Sequence, residues 1–148
     1  MIDLKNNKFI NEILPSNQFR IIEYQNYSDI MTYNESNLFV DQENYFRFYD
    51  YDGVYNVAEV HRDRIYKYDS NDSEEQALCT LVCLIYGCCQ YDMHKELLKD
   101  NSMSRMELLF NELLSRITKY YNVETFKDSL HDFYFCSYDI HREVFIER

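Results

Sequence analysis

The sequence predicts an α+β fold: an antiparallel β-meander over about residues 19–69, packed by a buried central helix at about 73–86 and by one or two C-terminal amphipathic helices. Two observations predict it. Between residues 19 and 69, β-branched and aromatic residues recur in short runs broken by turn signals, with Asp52-Gly53 the strongest. From residue 72 onward the apolar residues return at helical spacing, behind recognisable N-cap residues. At 148 residues the chain suits a single domain, 1–148, and buries roughly 68–70% of its unfolded surface, enough to need no covalent staple.

Residues 3–14 read as a short helix with Phe9, Ile10, Ile13 and Leu14 on one side, ended by Pro15. Strands are expected at Phe19–Tyr24, Tyr45–Tyr51, Val54–Val60 and Ile65–Asp69, with Asp29–Tyr33 and Leu38–Asp41 as shorter candidates, making a meander of four or five members. Asp52-Gly53 joins two of them, because a two-residue type I′ turn requires positive φ at both positions. On Tyr45–Tyr51 the two-residue period puts Phe46, Phe48 and Asp50 on one face and Tyr45, Arg47, Tyr49 and Tyr51 on the other. The phenylalanines belong inward, which turns the tyrosines outward; Tyr66 and Tyr68 likewise share a face.

Asp72 and Ser73 are candidate N-caps, with Gln76 or Glu75 placed to complete a capping box. The segment behind them, Ala77 to Ile85, is apolar on every side and therefore belongs in the interior, with Gly87 as its C′ residue. A second box, Ser104-x-x-Glu107, opens a helix whose stripe is Met106, Leu109, Phe110, Leu113, Leu114, Ile117, Tyr120 and Tyr121. A third helix follows from Val123 with Phe126, Leu130 and Phe133 on one face, and Tyr138–Arg148 fits either a helix end or a strand.

There are 26 Asp and Glu against 15 Lys and Arg, a net charge of -11. It is spread evenly: up to residue 72 there are 13 acids and 7 bases, and beyond it 13 and 8. Codon bias toward A and T inflates Asn, Ile, Tyr, Phe and Lys together, yet Lys occurs only 7 times, so such bias does not account for the acidity. The charge excludes direct binding of nucleic acid or an anionic membrane, since neutralising phosphate needs Lys and Arg. Two glycines exclude Gly-rich phosphate loops, in which several residues without Cβ let backbone approach phosphate. The N-terminal segment is charged throughout and is not expected to be a signal peptide. No apolar run approaches the ~18 residues of a membrane span. Five cysteines, four of them between Cys79 and Cys89, make no disulfide framework and point to a reducing cytoplasm.

Few residues suggest chemistry. Cys79, Cys83, Cys88, Cys89 and His94 have donor types that zinc takes, but the paired CxxC knuckles are missing and Cys79 and Cys83 sit in the most apolar helix. His61, His94, His131 and His141 are scattered and read as surface residues. Glu59 with Asp63, and Asp50 with Asp52, could be acid–base pairs, as chance alone provides among 26 carboxylates. No cofactor, metal or enzymatic activity is expected; a small metal- or thiol-dependent enzyme using the Cys/His cluster is the alternative.

The feature that carries weight is a tyrosine-rich, acidic sheet surface. Its candidate partner-binding residues are Tyr45, Tyr49, Tyr51, Asp50, Asp52, Glu59, Tyr66 and Tyr68. Tyrosine offers rigid apolar area with a hydroxyl handle, and carboxylates steer association toward a basic protein. Cross-sheet tyrosines could equally bury a homodimer contact. The acidic run Asp69–Glu75 serves the start of the following helix, whose dipole favours negative charge.

The stretch YFRFYDYDGVYNVAEVHRDRIYKYD (residues 45–69), running into SEEQALCTLVCLIYG (73–87), resembles the small acidic α+β immunity proteins of bacterial polymorphic-toxin and contact-dependent inhibition systems. The resemblance implies stoichiometric binding to one cognate toxin domain, often a basic nuclease, in the cytoplasm. Phage or viral inhibitors of host nucleic-acid-binding defence proteins share these traits and act as charge mimics.

Overall fold

The computed structural model of the chain describes residues 3–14, 19–32, 44–61, 64–93 and 103–135. Its architecture is α+β. Helix α1 (Lys8–Ile13) begins at Asn7, whose side chain accepts a hydrogen bond from the Ile10 N–H at 3.0 Å and so satisfies one of the donors a helix start leaves open. It buries Phe9, Ile10 and Ile13.

Five strands follow among the described residues: β1 (Phe19–Glu23), β2 (Ser28–Thr32), β3 (Asn44–Tyr51), β4 (Val54–His61) and β5 (Arg64–Asn71). They form one antiparallel sheet in chain order, each strand beside its sequence neighbour. The β3–β4 turn sets the register of the centre. Asp52 has φ 54° and Gly53 φ 80°, the two positive values of a type I′ turn, whose twist matches that of the strands it joins. With Tyr51 opposite Val54, the pairing runs back to Phe48 opposite Val57 and Phe46 opposite Glu59. On β2, Ile30 lies opposite Phe46. Phe46, Phe48, Val57 and Ile30 therefore share one face, and all are buried. Each such side chain contributes about 1.5–3 kcal/mol by leaving water.

Helix α2 (Glu74–Met93) starts at Ser73, whose hydroxyl accepts from the Gln76 N–H at 3.3 Å, with Glu74 and Glu75 in the first turn. Residues Ala77 through Tyr86 are all buried, Thr80 included, as a segment apolar nearly all round requires. The expected end of this helix is corrected. Gly87 does not stop it; α2 continues to Met93. Glycine inside a helix costs only about 1 kcal/mol relative to alanine, too little to end a helix whose preceding turns are buried.

The chain divides into two compact units, Met1–Val82 and Cys83–Arg148, with the boundary inside α2. In the first, the inward sheet residues share the core with Leu4, Phe9, Ile10, Ile13 and Leu14 and with Ala77–Val82. The second contains the rest of α2, helix α3 (Met103–Ile117) and helix α4 (residues 127–135). Helix α3 begins at Met103, so Ser104 lies inside it rather than capping it. It buries Met106, Phe110, Leu113, Leu114 and Ile117. Leu130, Phe133, Tyr134 and Phe135 of α4 are buried too, and the Phe110 ring meets those of Tyr134 and Phe135 at 5.1 and 6.0 Å. Arg116 Nη1 donates to the Tyr86 hydroxyl at 3.0 Å, tying α3 to α2.

Among the described residues no helix is long and apolar enough to cross a membrane. The expected strand at Leu38–Asp41 and the ambiguous segment Tyr138–Arg148 lie outside the described residues.

Candidate functional site: a tyrosine groove on the outer sheet face

The alternation that buries Phe46 and Phe48 sends Tyr45, Arg47, Tyr49 and Tyr51 to the opposite face. Register then assembles their neighbours. Tyr45 stands opposite Val60, Arg47 opposite Ala58, and on the other side Asp29 of β2 stands opposite Arg47. Tyr45, Arg47, Ala58 and Val60 line a groove of about 600 Å³. Buried Ala58 and Val60 form its floor, and Tyr27, Tyr45, Tyr49 and Tyr51 its walls. Exposed Asn26, Asp50 and Ile65 sit at its rim.

Arg47 organises one end. Its Nε donates to Asp29 Oδ1 at 2.8 Å and its Nη2 to Asp29 Oδ2 at 3.1 Å, the bidentate geometry a planar guanidinium makes with a carboxylate. Nη2 also reaches the Tyr45 hydroxyl at 3.4 Å. The guanidinium carbon lies 4.1 Å from the centre of the Tyr27 ring and 5.3 Å from that of Tyr45, within the range of cation–π attraction. Tyr24 stacks on Tyr27 at 4.8 Å. The result is a short ladder of Tyr24, Tyr27, Arg47 and Tyr45, with a nearly buried carboxylate neutralising its one cation. The hydrogen bonds that Arg47 donates to Asp29 hold its pKa above its ordinary value, against the opposing effect of partial burial.

At the other end Tyr51 is 76% exposed, and Asp50 and Asp52 are exposed beside it. Asp50 also borders a second recess, lined by Asp3, Asn6, Asn7, Lys8, Tyr55 and Glu74. There the Asp3 carboxylate accepts from Asn6 Nδ2 at 2.7 Å, which lowers its pKa.

Of the residues the sequence nominated for partner contact, the structure brings Tyr45, Tyr49, Tyr51 and Asp50 into the groove and places Asp52 at the adjoining turn. Glu59 is a correction. It is 2% exposed and lies opposite Phe46, on the core face, so it can touch no partner while the sheet is intact. The signal was present in the sequence: a two-residue Asp52-Gly53 turn puts Glu59 across from Phe46, whose inward direction was already assigned. Tyr66 and Tyr68 lie in β5, Tyr68 opposite Ala58 beside a bulge at Glu59/Val60; their side chains are outside what the structure describes. Tyr27, Asp29 and Arg47 were not nominated. Arg47 shares the alternation of Tyr45 and Tyr49, but only the β2–β3 register reveals that Asp29 faces it.

The other chemistry-bearing residues fall elsewhere. Cys79 and Cys83 are buried, and burial, reinforced by Glu75, pushes the Cys79 thiol up to about 12. A thiol so placed is protonated at neutral pH and serves as a small core residue. Among the described residues no group of three or more His, Cys, Asp or Glu could hold a metal ion. His131 is half-exposed, with Nε2 2.9 Å from Glu107 Oε1 and its ring stacked on Phe135 at 4.5 Å. His94, His141 and Asp63, and the side chains of His61, Cys88 and Cys89, lie outside the described residues. The described lining of the groove thus offers tyrosine rings and hydroxyls and one compensated guanidinium, with Asp50 at its rim, a set suited to holding another molecule.

Compared with known proteins, the chain matches no family model, no curated protein and no solved structure.

Proposed function

We propose that this chain is an immunity-type inhibitor that acts in the cytoplasm, binding and neutralising one basic, nuclease-like toxin domain through the outer face of its sheet. The observation that carries the reading is the groove itself: four tyrosines and Arg47, held rigid by strand register and by Asp29, on the surface of a chain with net charge -11. Tyrosine and arginine dominate the centres of protein interfaces, because each presents a large, preorganised surface that loses little freedom on binding. The surplus negative charge supplies long-range attraction to a cationic partner. On this reading the chain works by occupation, one copy per toxin, and turns over no substrate.

The test is direct. The purified chain is mixed with the toxin domain encoded beside it, and complex formation and toxin activity are measured. A one-to-one complex that loses toxin activity is the expected result. Replacing Asp50→Lys and Asp52→Lys should lower the association rate about tenfold at low salt and less at high salt. An unchanged association rate removes this surface from the proposal, and the absence of any complex removes the inhibitor reading.

A further inference from the structure

We infer that the groove seats one amphipathic helix of the basic partner, with the helix's apolar stripe against Tyr51 and Ile65; this rests on the inhibitor reading above. Among the described residues four large apolar side chains are exposed: Tyr24, Tyr51, Ile65 and Leu108. Tyr51 and Ile65, 76% and 59% exposed, both line the groove, and Tyr24 stacks on Tyr27, which lines it too. Single exposed apolar residues are ordinary on a protein surface, but three gathered around one recess mark a contact surface.

The described lining balances its own charge. Arg47 is paired with Asp29 through both carboxylate oxygens. Asp50 reaches the rim, but the two-residue period turns its side chain to the face opposite Tyr49 and Tyr51. The surplus of -11 thus lies around the groove rather than in it. An occupant that matches this arrangement is apolar where it touches and cationic along its flanks.

Length and backbone chemistry make that occupant a helix. Tyr45 and Tyr51 are six residues apart on β3, about 20 Å at the rise of a strand. Ile65 belongs to the Tyr45 end, since it lies opposite Val60 and Val60 lies opposite Tyr45. An element touching both Tyr51 and Ile65 therefore spans about 20 Å, or roughly 14 helical residues at 1.5 Å each. A strand laid on this face would bury N–H and C=O groups unanswered, because only the edges of a sheet offer backbone partners. A helix satisfies its own backbone and presents one apolar stripe between flanking charges.

The full chain, labelled with ¹⁵N, is titrated with the basic amphipathic peptide acetyl-LKKLLKLLKKLLKL-amide, and amide shifts are followed. Two control peptides carry Ser for every Leu or Glu for every Lys. The first peptide should shift Tyr51, Gly53 and Ile65 saturably, and neither control should. Tyr51→Ala and Ile65→Asp should each weaken it roughly tenfold, with Leu108→Ala as the unaffected control and far-UV circular dichroism confirming that each variant folds. Equal binding of the Ser peptide, or shifts spread over the acidic surface and indifferent to Ile65→Asp, overturns the helix seat. So does a toxin complex whose affinity is unchanged by Tyr51→Ala and Ile65→Asp, which leaves the inhibitor reading standing. Saturable binding of the first peptide at Tyr51 and Ile65 in a chain that inhibits no neighbouring toxin supports the seat and overturns the inhibitor reading instead.

Discussion

Asp29 and Arg47 make their pair in the middle of a sheet, where one partner is nearly buried and the other largely covered by tyrosine rings. Removing one member leaves the other's charge uncompensated. Asp29→Ala strands a guanidinium against the apolar floor and should cost about 2–3 kcal/mol. Arg47→Leu, which leaves a nearly buried carboxylate without its guanidinium, should cost a similar amount. Urea titrations of both variants measure these losses through their midpoints, with slopes unchanged. Cys79 acts on the alkaline side. Its folded pKa, raised to about 12 from 9.0, means that the folded state holds its proton more tightly than the unfolded chain. The stabilisation is complete below pH 9 and is lost as pH rises toward 12. Cys79→Ala should flatten that alkaline decline, and in the parent chain a thiol reagent should modify Cys79 at pH 8 only at the rate of opening. The residue scale is also where the sequence was hardest to read. The outward tyrosines followed from alternation, but Asp29 looked like any other of the 26 acids until a neighbouring strand placed it against Arg47.

At the scale of elements, signals that act through the backbone were legible and those that depend on distant packing were not. Asp52-Gly53 named its own turn, and the turn named the register of β3 with β4. Ser73 capped α2 as its spacing to Gln76 implied. Gly87 misled because its weak helix propensity competes with the burial of the turns before it, and burial wins. Two substitutions test these elements by thermal or urea unfolding. Gly53→Ala places a methyl in open space, with nothing within 4 Å, so its effect is that of left-handed backbone alone, about 1–2 kcal/mol. Ser73→Ala should cost about 0.5–2 kcal/mol through the lost cap. The candidate site belongs partly to this scale: its position on β3 was readable from the period of two, whereas its depth needed the β2 side of the sheet, which supplies Tyr27 and Asp29.

For the whole molecule, a net charge of -11 means self-repulsion in the folded state. Moderate salt should therefore raise the melting temperature of the isolated chain while weakening its hold on a basic partner, and a single salt series with and without partner would show the two slopes with opposite signs. The α+β order was visible from the change of period near residue 72, where the described strands give way to the long helices. The order of the strands in the sheet also sets a schedule for the folding reaction. Because each described strand bonds to its neighbours in sequence, these pairings need not wait for a distant segment to arrive. The closures at Asp52-Gly53 and between His61 and Arg64 each span two residues, so β3, β4 and β5 can zip first and present an edge on which β2 grows. A change at Gly53 should then slow folding by nearly its full equilibrium effect and leave unfolding almost untouched, whereas a change in β1 should do the reverse. The tyrosine groove, built on that same hairpin, would be among the first surfaces of the protein to take shape.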